Sequence, residues 1–150
     1  MTKKTFSHWS EGLEHYYFGP AWAGMRREMT QAVQAYDGDL SKAWRDAHAV
    51  LHKAVWRYEG DVADDTADNN YVAEVPRGSR DAVMAGIFSK MMEGHGLILK
   101  NVQDLPSRGQ CKLTMSVQST EVLKSLVHGM KVEPRDIEAG RSGTDVGVRL

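Results

Sequence analysis

The chain has 150 residues, which is room for one ordinary domain or for a small domain with an appended element. Its 19 basic residues against 20 acidic ones argue against a dedicated high-affinity DNA-binding protein, which usually has a clear basic excess. The single cysteine, Cys111, excludes an internal disulfide and a cysteine-built metal cluster within one chain. There is no apolar run of membrane-spanning length and no secretory signal in the first residues, so we expect a cytoplasmic protein without a membrane partner.

The N-terminal part predicts three helices. Apolar and aromatic residues recur at helical spacing over residues 6–17, 22–36 and 40–58, and glycine or proline interrupts the pattern between them. Because the turn between the second and third helices is short, we expect an antiparallel helical hairpin in which Trp22 and Trp44 face inward.

An acidic stretch divides the chain into two parts of different composition. Residues 60–70 read GDVADDTADNN, with four aspartates and no basic residue, and Asp and Asn favour turns over helix or strand interiors. Ten of the twelve aromatic residues precede this stretch. We therefore predict an aromatic-rich helical unit over residues 1–59, a linker over 60–70 and an α+β domain over 71–150, and leave open whether the two units share one core.

The C-terminal part predicts strands that alternate with helices. The clearest strand runs from Cys111 to Gln118, where apolar and polar residues alternate strictly. The β-α-β-β-α order predicts a ferredoxin-like split β-α-β sandwich, with two helices on one face of an antiparallel sheet. The other face is then either open or covered by the helical hairpin. The remaining predicted elements are strands at 71–75 and 97–102, helices at 79–92 and 119–130, and a fourth strand at 136–139 or 145–150.

Residues 70–139 resemble an RNA-recognition motif. The resemblance rests on the strand YVAEVP, the helix ending in IFSKMM, the hairpin LPSRGQCKLTMSV and the helix STEVLKSLVHGM. It implies that bases stack on the open sheet face, with Tyr71 as the first-strand ring and Arg108-Gly109 at the start of the third-strand motif. The chain departs from the motif at its two third-strand stacking positions, which are Gln110 and Lys112. The hypothesis of single-stranded RNA binding that follows assigns contacts to Tyr71, Arg77, Arg108 and Lys112.

A second hypothesis concerns a metal ion. His48 and His52 are four residues apart on the third predicted helix, which puts both imidazoles on one helical face, and Glu59 follows near the same flank. The alternative is that the two histidines bind no metal and lie on a solvated helix edge, because such a pair arises readily by chance in a chain with six histidines. The chain contains no HExxH, GxSxG or phosphate-loop motif.

These observations favour a non-catalytic protein. We assign no catalytic residue and no cofactor, and the chain carries more aromatic and methionine side chains than two thin layers bury easily. We therefore expect a binding or regulatory protein of the inhibitor or adaptor type, which acts through protein contacts and forms a homo-oligomer. The alternatives are a single-stranded RNA-binding module and a small enzyme whose site lies at a subunit interface or at His48 and His52.

Overall fold

The computed structural model describes residues 8–59, 69–118, 122 and 131–132, and it has a mixed α+β fold, as the sequence predicts. Four α-helices lie within the described residues: α1 (Trp9–Tyr16), α2 (Ala23–Ala35), α3 (Leu40–Leu51) and α4 (Arg80–Met92). The strands there are β1 (Val55–Tyr58), β2 (Asn69–Pro76), β3 (Leu97–Leu105), β4 (Gln110–Val117) and β5 (Lys131–Val132). None of these described helices is long and apolar enough to cross a membrane.

Two of the helices begin at a polar side chain that accepts a hydrogen bond from the first turn. The Nδ1 atom of His8 accepts from the backbone N–H of Ser10 at 3.2 Å, and Oδ1 of Asp39 accepts from the backbone N–H of Lys42 at 3.1 Å. These caps satisfy N–H groups that have no partner within the helix. Gly38, with a φ of 77°, makes the turn that precedes the Asp39 cap, as the sequence predicts.

The prediction of a third helix that continues to Tyr58 is wrong. Helix α3 ends at Leu51, and Val55–Tyr58 form strand β1, which pairs with β2. The apolar residues of this stretch fit helical spacing. In the structure, however, burial alternates as in a strand, since Trp56 is fully buried and Val55 is 38% exposed. β-branched and aromatic residues favour strands, and the pairing with β2 decides between the two patterns.

The five strands form one mixed sheet in the order β3-β4-β2-β1-β5. Strand β4 is antiparallel to both β2 and β3, which are therefore parallel to each other and are joined by α4. This is a split β-α-β arrangement, and it is compatible with the ferredoxin-like prediction. Strand β1 extends the sheet beyond β2, and the short β5 pairs with it in parallel.

Several predicted elements lie outside the described residues. They are the start of the first helix at Phe6, nearly all of the acidic linker at 60–70, the helix at 119–130 apart from Val122, and the fourth strand at 136–139 or 145–150.

Helix α4 contacts both α2 and α3, and α2 also contacts β3 of the sheet directly. One cluster of buried residues joins all of them, from Leu13 in α1 to Val117 in β4. Helix α4 is buried along most of its length, as its many apolar residues predict. Gly86 lets it approach α3 closely, since a Cβ atom at that position would lie 2.6 Å from the Cβ of Ala47.

Helices α2 and α3 follow each other through a short turn, but each of them packs against α4. Trp22 and Trp44 are both half-buried, and they contact different neighbours. The ring of Trp22 lies 5.4 Å from that of Tyr17, whereas the ammonium of Lys90 lies 4.7 Å from the centre of the Trp44 ring. The expected antiparallel hairpin, with Trp22 and Trp44 facing inward, is therefore not what the described residues form, because α2 and α3 each pack on α4 instead of on one another.

Candidate functional site

The most prominent exposed apolar side chain among the described residues is Phe18, which is 78% exposed. It follows Tyr17, whose side chain is fully buried and whose hydroxyl donates a hydrogen bond to the carbonyl oxygen of Leu99 at 2.8 Å. Gly19 has a φ of 96°, in the region that favours glycine, and lets the chain turn sharply before Pro20 begins a 3-10 turn. One ring is thus held in the core while the next projects into solvent.

Arg26 of α2 holds the backbone of the loop that carries Phe18. The Nη1 atom of Arg26 donates hydrogen bonds to the carbonyl oxygens of Tyr17 and Gly19, the latter at 3.3 Å. Hydrogen bonds from a charged donor are among the stronger ones in proteins. Phe18 is therefore presented on a loop whose backbone is tied to the adjacent helix.

A largely apolar groove between α1 and α2 lies beside this loop, with a volume of about 570 Å³. We call it the α1–α2 groove. Its walls include Trp9, Leu13 and Ala23, and its rim carries charges of both signs, from Glu14 and Arg27. Arg26 also lines the groove, so the same side chain joins it to the Phe18 loop. Sequence reasoning missed this surface, although Phe18 lies off the apolar stripe of the first helix and next to a helix-breaking Gly-Pro pair.

A second groove, here called the sheet groove, lies on the polar face of the sheet, opposite the face that packs on α4. Its volume is about 560 Å³, and the side chains that line it are mostly charged. Val72, which is 6% exposed, is among the apolar residues that line it. The charged lining residues are Lys53, Arg57, Glu59, Glu74, Arg108 and Lys112.

The structure brings together two of the four residues assigned to RNA binding. Arg108 and Lys112 both line the sheet groove. Arg77 is outside that lining, and its guanidinium lies 3.9 Å from the carboxylate of Asp104. Tyr71 is fully buried on the apolar face of the sheet, with its ring 5.5 Å from that of Tyr58. The expectation that Tyr71 presents its ring on the open face is therefore incorrect, because strand alternation turns this side chain into the core.

The structure does not assemble the three residues of the metal hypothesis. The rings of His48 and His52 are 6.2 Å apart, and His48 also packs edge-on against Trp44. Glu59 lies in the sheet groove, since the chain leaves α3 and enters β1 before it reaches this residue. Over the described parts of the chain, no group of three or more His, Cys, Asp or Glu residues is placed to hold a metal ion.

Two further reactive side chains have placements that matter for an enzymatic alternative. Cys111 is buried on the apolar face of β4, and this burial raises the pKa of its thiol, which disfavours the nucleophilic thiolate. The ring of His95 lies 3.1 Å from the carboxylate of Glu93. Partial burial raises the pKa of Glu93, but hydrogen bonds from His95 and Lys90 together outweigh it, so the pKa lies below its ordinary value. This pair is a hydrogen-bonded surface contact at the end of α4.

The chain has no match among protein-family models, curated proteins or solved structures.

Proposed function

We propose that this protein is a non-catalytic binding or regulatory protein, and that Phe18 and the α1–α2 groove form its contact surface. The observation that carries the proposal is the 78% exposure of Phe18 on a loop that Arg26 holds in place. Burying a phenylalanine ring contributes about 1.5–3 kcal/mol. Interfaces are typically anchored by aromatic side chains that fill pockets on the partner.

The partner that best fits this surface is a second copy of the chain. A two-fold interface needs a patch that is complementary to itself, and here a projecting ring and an apolar groove lie side by side. The groove rim carries both Glu14 and Arg27, so that a rotated copy can place opposite charges against each other. Insertion of each Phe18 into the groove of the other copy would bury both rings in one symmetric dimer.

The experiment is sedimentation equilibrium of the wild-type chain and of Phe18→Ser over a wide concentration range. We expect the wild type to form a dimer, and we expect the dimer affinity of Phe18→Ser to be lower by about 100-fold or more, because the symmetric dimer loses two buried rings. Val55→Ser is the matched control, since Val55 is also an exposed large apolar residue but lies on β1. A wild-type chain that remains monomeric, or equal weakening by both substitutions, contradicts the proposal.

Fewer structural observations support the two alternatives, single-stranded RNA binding and an enzyme with a metal site. Binding of single-stranded RNA retains Arg108 and Lys112 on the polar sheet face but loses the stacking ring of Tyr71, and ring stacking on bases is worth about 1–3 kcal/mol per base. An enzyme with a site at His48 and His52 lacks the third ligand expected from Glu59. Metal analysis of chelator-free protein and titration with RNA at low salt are the direct tests of these alternatives.

A further inference from the structure

We propose that the sheet groove binds a small phosphate-bearing ligand, which is a function separate from the protein contact surface at Phe18. The strands place its charged residues by register. Arg57 on β1 is opposite Val72 on β2, and Glu74 on β2 is opposite Lys112 on β4. Side chains directly opposite in neighbouring strands share one face of the sheet. Arg57 and Lys112, from two different strands, therefore lie on the same face of the sheet as Val72. Two further basic residues line the same groove from the segments before β1 and before β4, namely Lys53 and Arg108.

The charge of the groove is unbalanced toward cations. Four basic side chains line it, against the two carboxylates of Glu59 and Glu74, which leaves two positive charges in excess. The Glu74 carboxylate is already engaged, because it accepts a hydrogen bond from Nη2 of Arg108 at 2.8 Å. Within the described parts of the chain, the ammonium groups of Lys53 and Lys112 have no hydrogen-bond or ion-pair partner. Two lysines are therefore available to a ligand.

A phosphate monoester matches this excess. It carries a charge of about −1.5 to −2 at neutral pH and offers three strong acceptor oxygens. Lysine provides a point charge for such a group, and arginine provides a planar fork of donors. The groove volume of about 560 Å³ is also in the range of sites for small molecules.

The phosphate could come from a small ester or from the backbone of an RNA strand, and the lining favours the small ester. Binding of a single strand usually combines backbone contacts with aromatic rings on which bases stack. No aromatic side chain is found among the described residues that line the groove. The apolar side chains of Val55 and Leu105 and the amide of Gln103 are contacts suited to the organic part of a compact molecule.

The experiment is a titration of ¹⁵N-labelled protein with adenosine monophosphate and with pyrophosphate, at an ionic strength held constant with NaCl. We expect shifts in the amide signals of Val72, Glu74 and Lys112, and about tenfold weaker binding of both probes to Lys112→Gln and to Lys53→Gln. Lys42→Gln is the control, because Lys42 lies on the exposed side of α3, outside the groove. The same spectra report whether each variant is folded.

The outcomes separate this proposal from simpler ones. Absence of shifts at the groove, or equal weakening in Lys42→Gln, overturns it. The small-ester proposal is also overturned if an RNA octamer shifts the same signals while both small probes do not. In that case the basic residues bind the phosphate backbone of an RNA strand. Phe18→Ser should bind both probes as the wild type does, so failure here and failure of the dimer are distinguishable.

Discussion

The adjacent residues Tyr17 and Phe18 differ sharply in their exposure to solvent. Tyr17 is fully buried and bonded to Leu99, whereas Phe18 is exposed on a loop tied down by Arg26. From the sequence, both belong to one aromatic run near the end of a helix. Which ring is buried depends on the position of Leu99, which is distant in the chain, so local periodicity alone does not distinguish them.

The buried Tyr17 makes stability depend on pH in the alkaline range. Burial, followed by the nearby Tyr16, raises the pKa of Tyr17 above its ordinary value near 10. A group whose pKa is higher in the folded state contributes stability that is complete below pH 10 and is lost as the pH rises further. We expect the free energy of unfolding to fall above pH 10, by at most about 1.4 kcal/mol per pH unit from this one side chain.

Urea unfolding of Tyr17→Phe checks this prediction. The substitution leaves the Leu99 carbonyl without its donor, so we expect a loss of about 1–3 kcal/mol at pH 7. The variant should also lose less stability than the wild type between pH 10 and pH 12, because it has no hydroxyl to ionise. Parallel alkaline slopes in the two proteins would exclude Tyr17 as the source.

The strands and the helix observed over residues 69–118 agree closely with the prediction from the sequence, but the end of α3 does not. The alternation from Cys111 to Val117 predicts β4 because only one face of that strand packs on the core. The helical spacing of Leu51, Val55 and Tyr58 misleads because β2, the partner strand that converts this stretch into β1, lies beyond the acidic linker. The sheet groove is missed for the same reason, since residues as remote in sequence as Lys53 and Lys112 meet in it.

Two glycine substitutions should change stability in different ways, because Gly86 lies where α3 and α4 cross closely and Gly24 does not. A Cβ on Gly86 would lie 2.6 Å from the Cβ of Ala47 and 3.1 Å from the Ala43 carbonyl oxygen. We expect Gly86→Ala to destabilise the protein by about 1–3 kcal/mol, since overpacking exceeds the gain of up to about 1 kcal/mol in helix propensity. Gly24→Ala is the control on α2, where the nearest such contact is 3.9 Å away.

Denaturant unfolding of the two variants measures the difference. Gly24→Ala should be neutral or stabilising by a few tenths of a kcal/mol, because Gly24 is exposed and lies in the first turn. Equal stability of Gly86→Ala and the wild type would mean that α3 and α4 separate without cost, which would contradict the tight crossing.

At the scale of the whole molecule, the aromatic N-terminal part and the sheet contribute to one buried cluster. Trp56 on β1 and Leu51 on α3 belong to the same cluster as Leu113 and Met115 on β4. The pairing of β1 with β2 adds a backbone connection across the acidic linker. Separation of the two parts would therefore expose apolar surface on both and break a strand pair, so we expect them to unfold together.

The chain provides one natural probe for each part. All four tryptophans lie at or before Trp56, whereas the only cysteine, Cys111, is buried in the sheet. Tryptophan fluorescence and pulsed thiol labelling of Cys111 should therefore report the same midpoint in equilibrium urea unfolding, as expected of a single cooperative transition. Loss of tryptophan signal while Cys111 remains protected would instead mean that residues 8–59, including β1, unfold while strands β2, β3 and β4 stay folded.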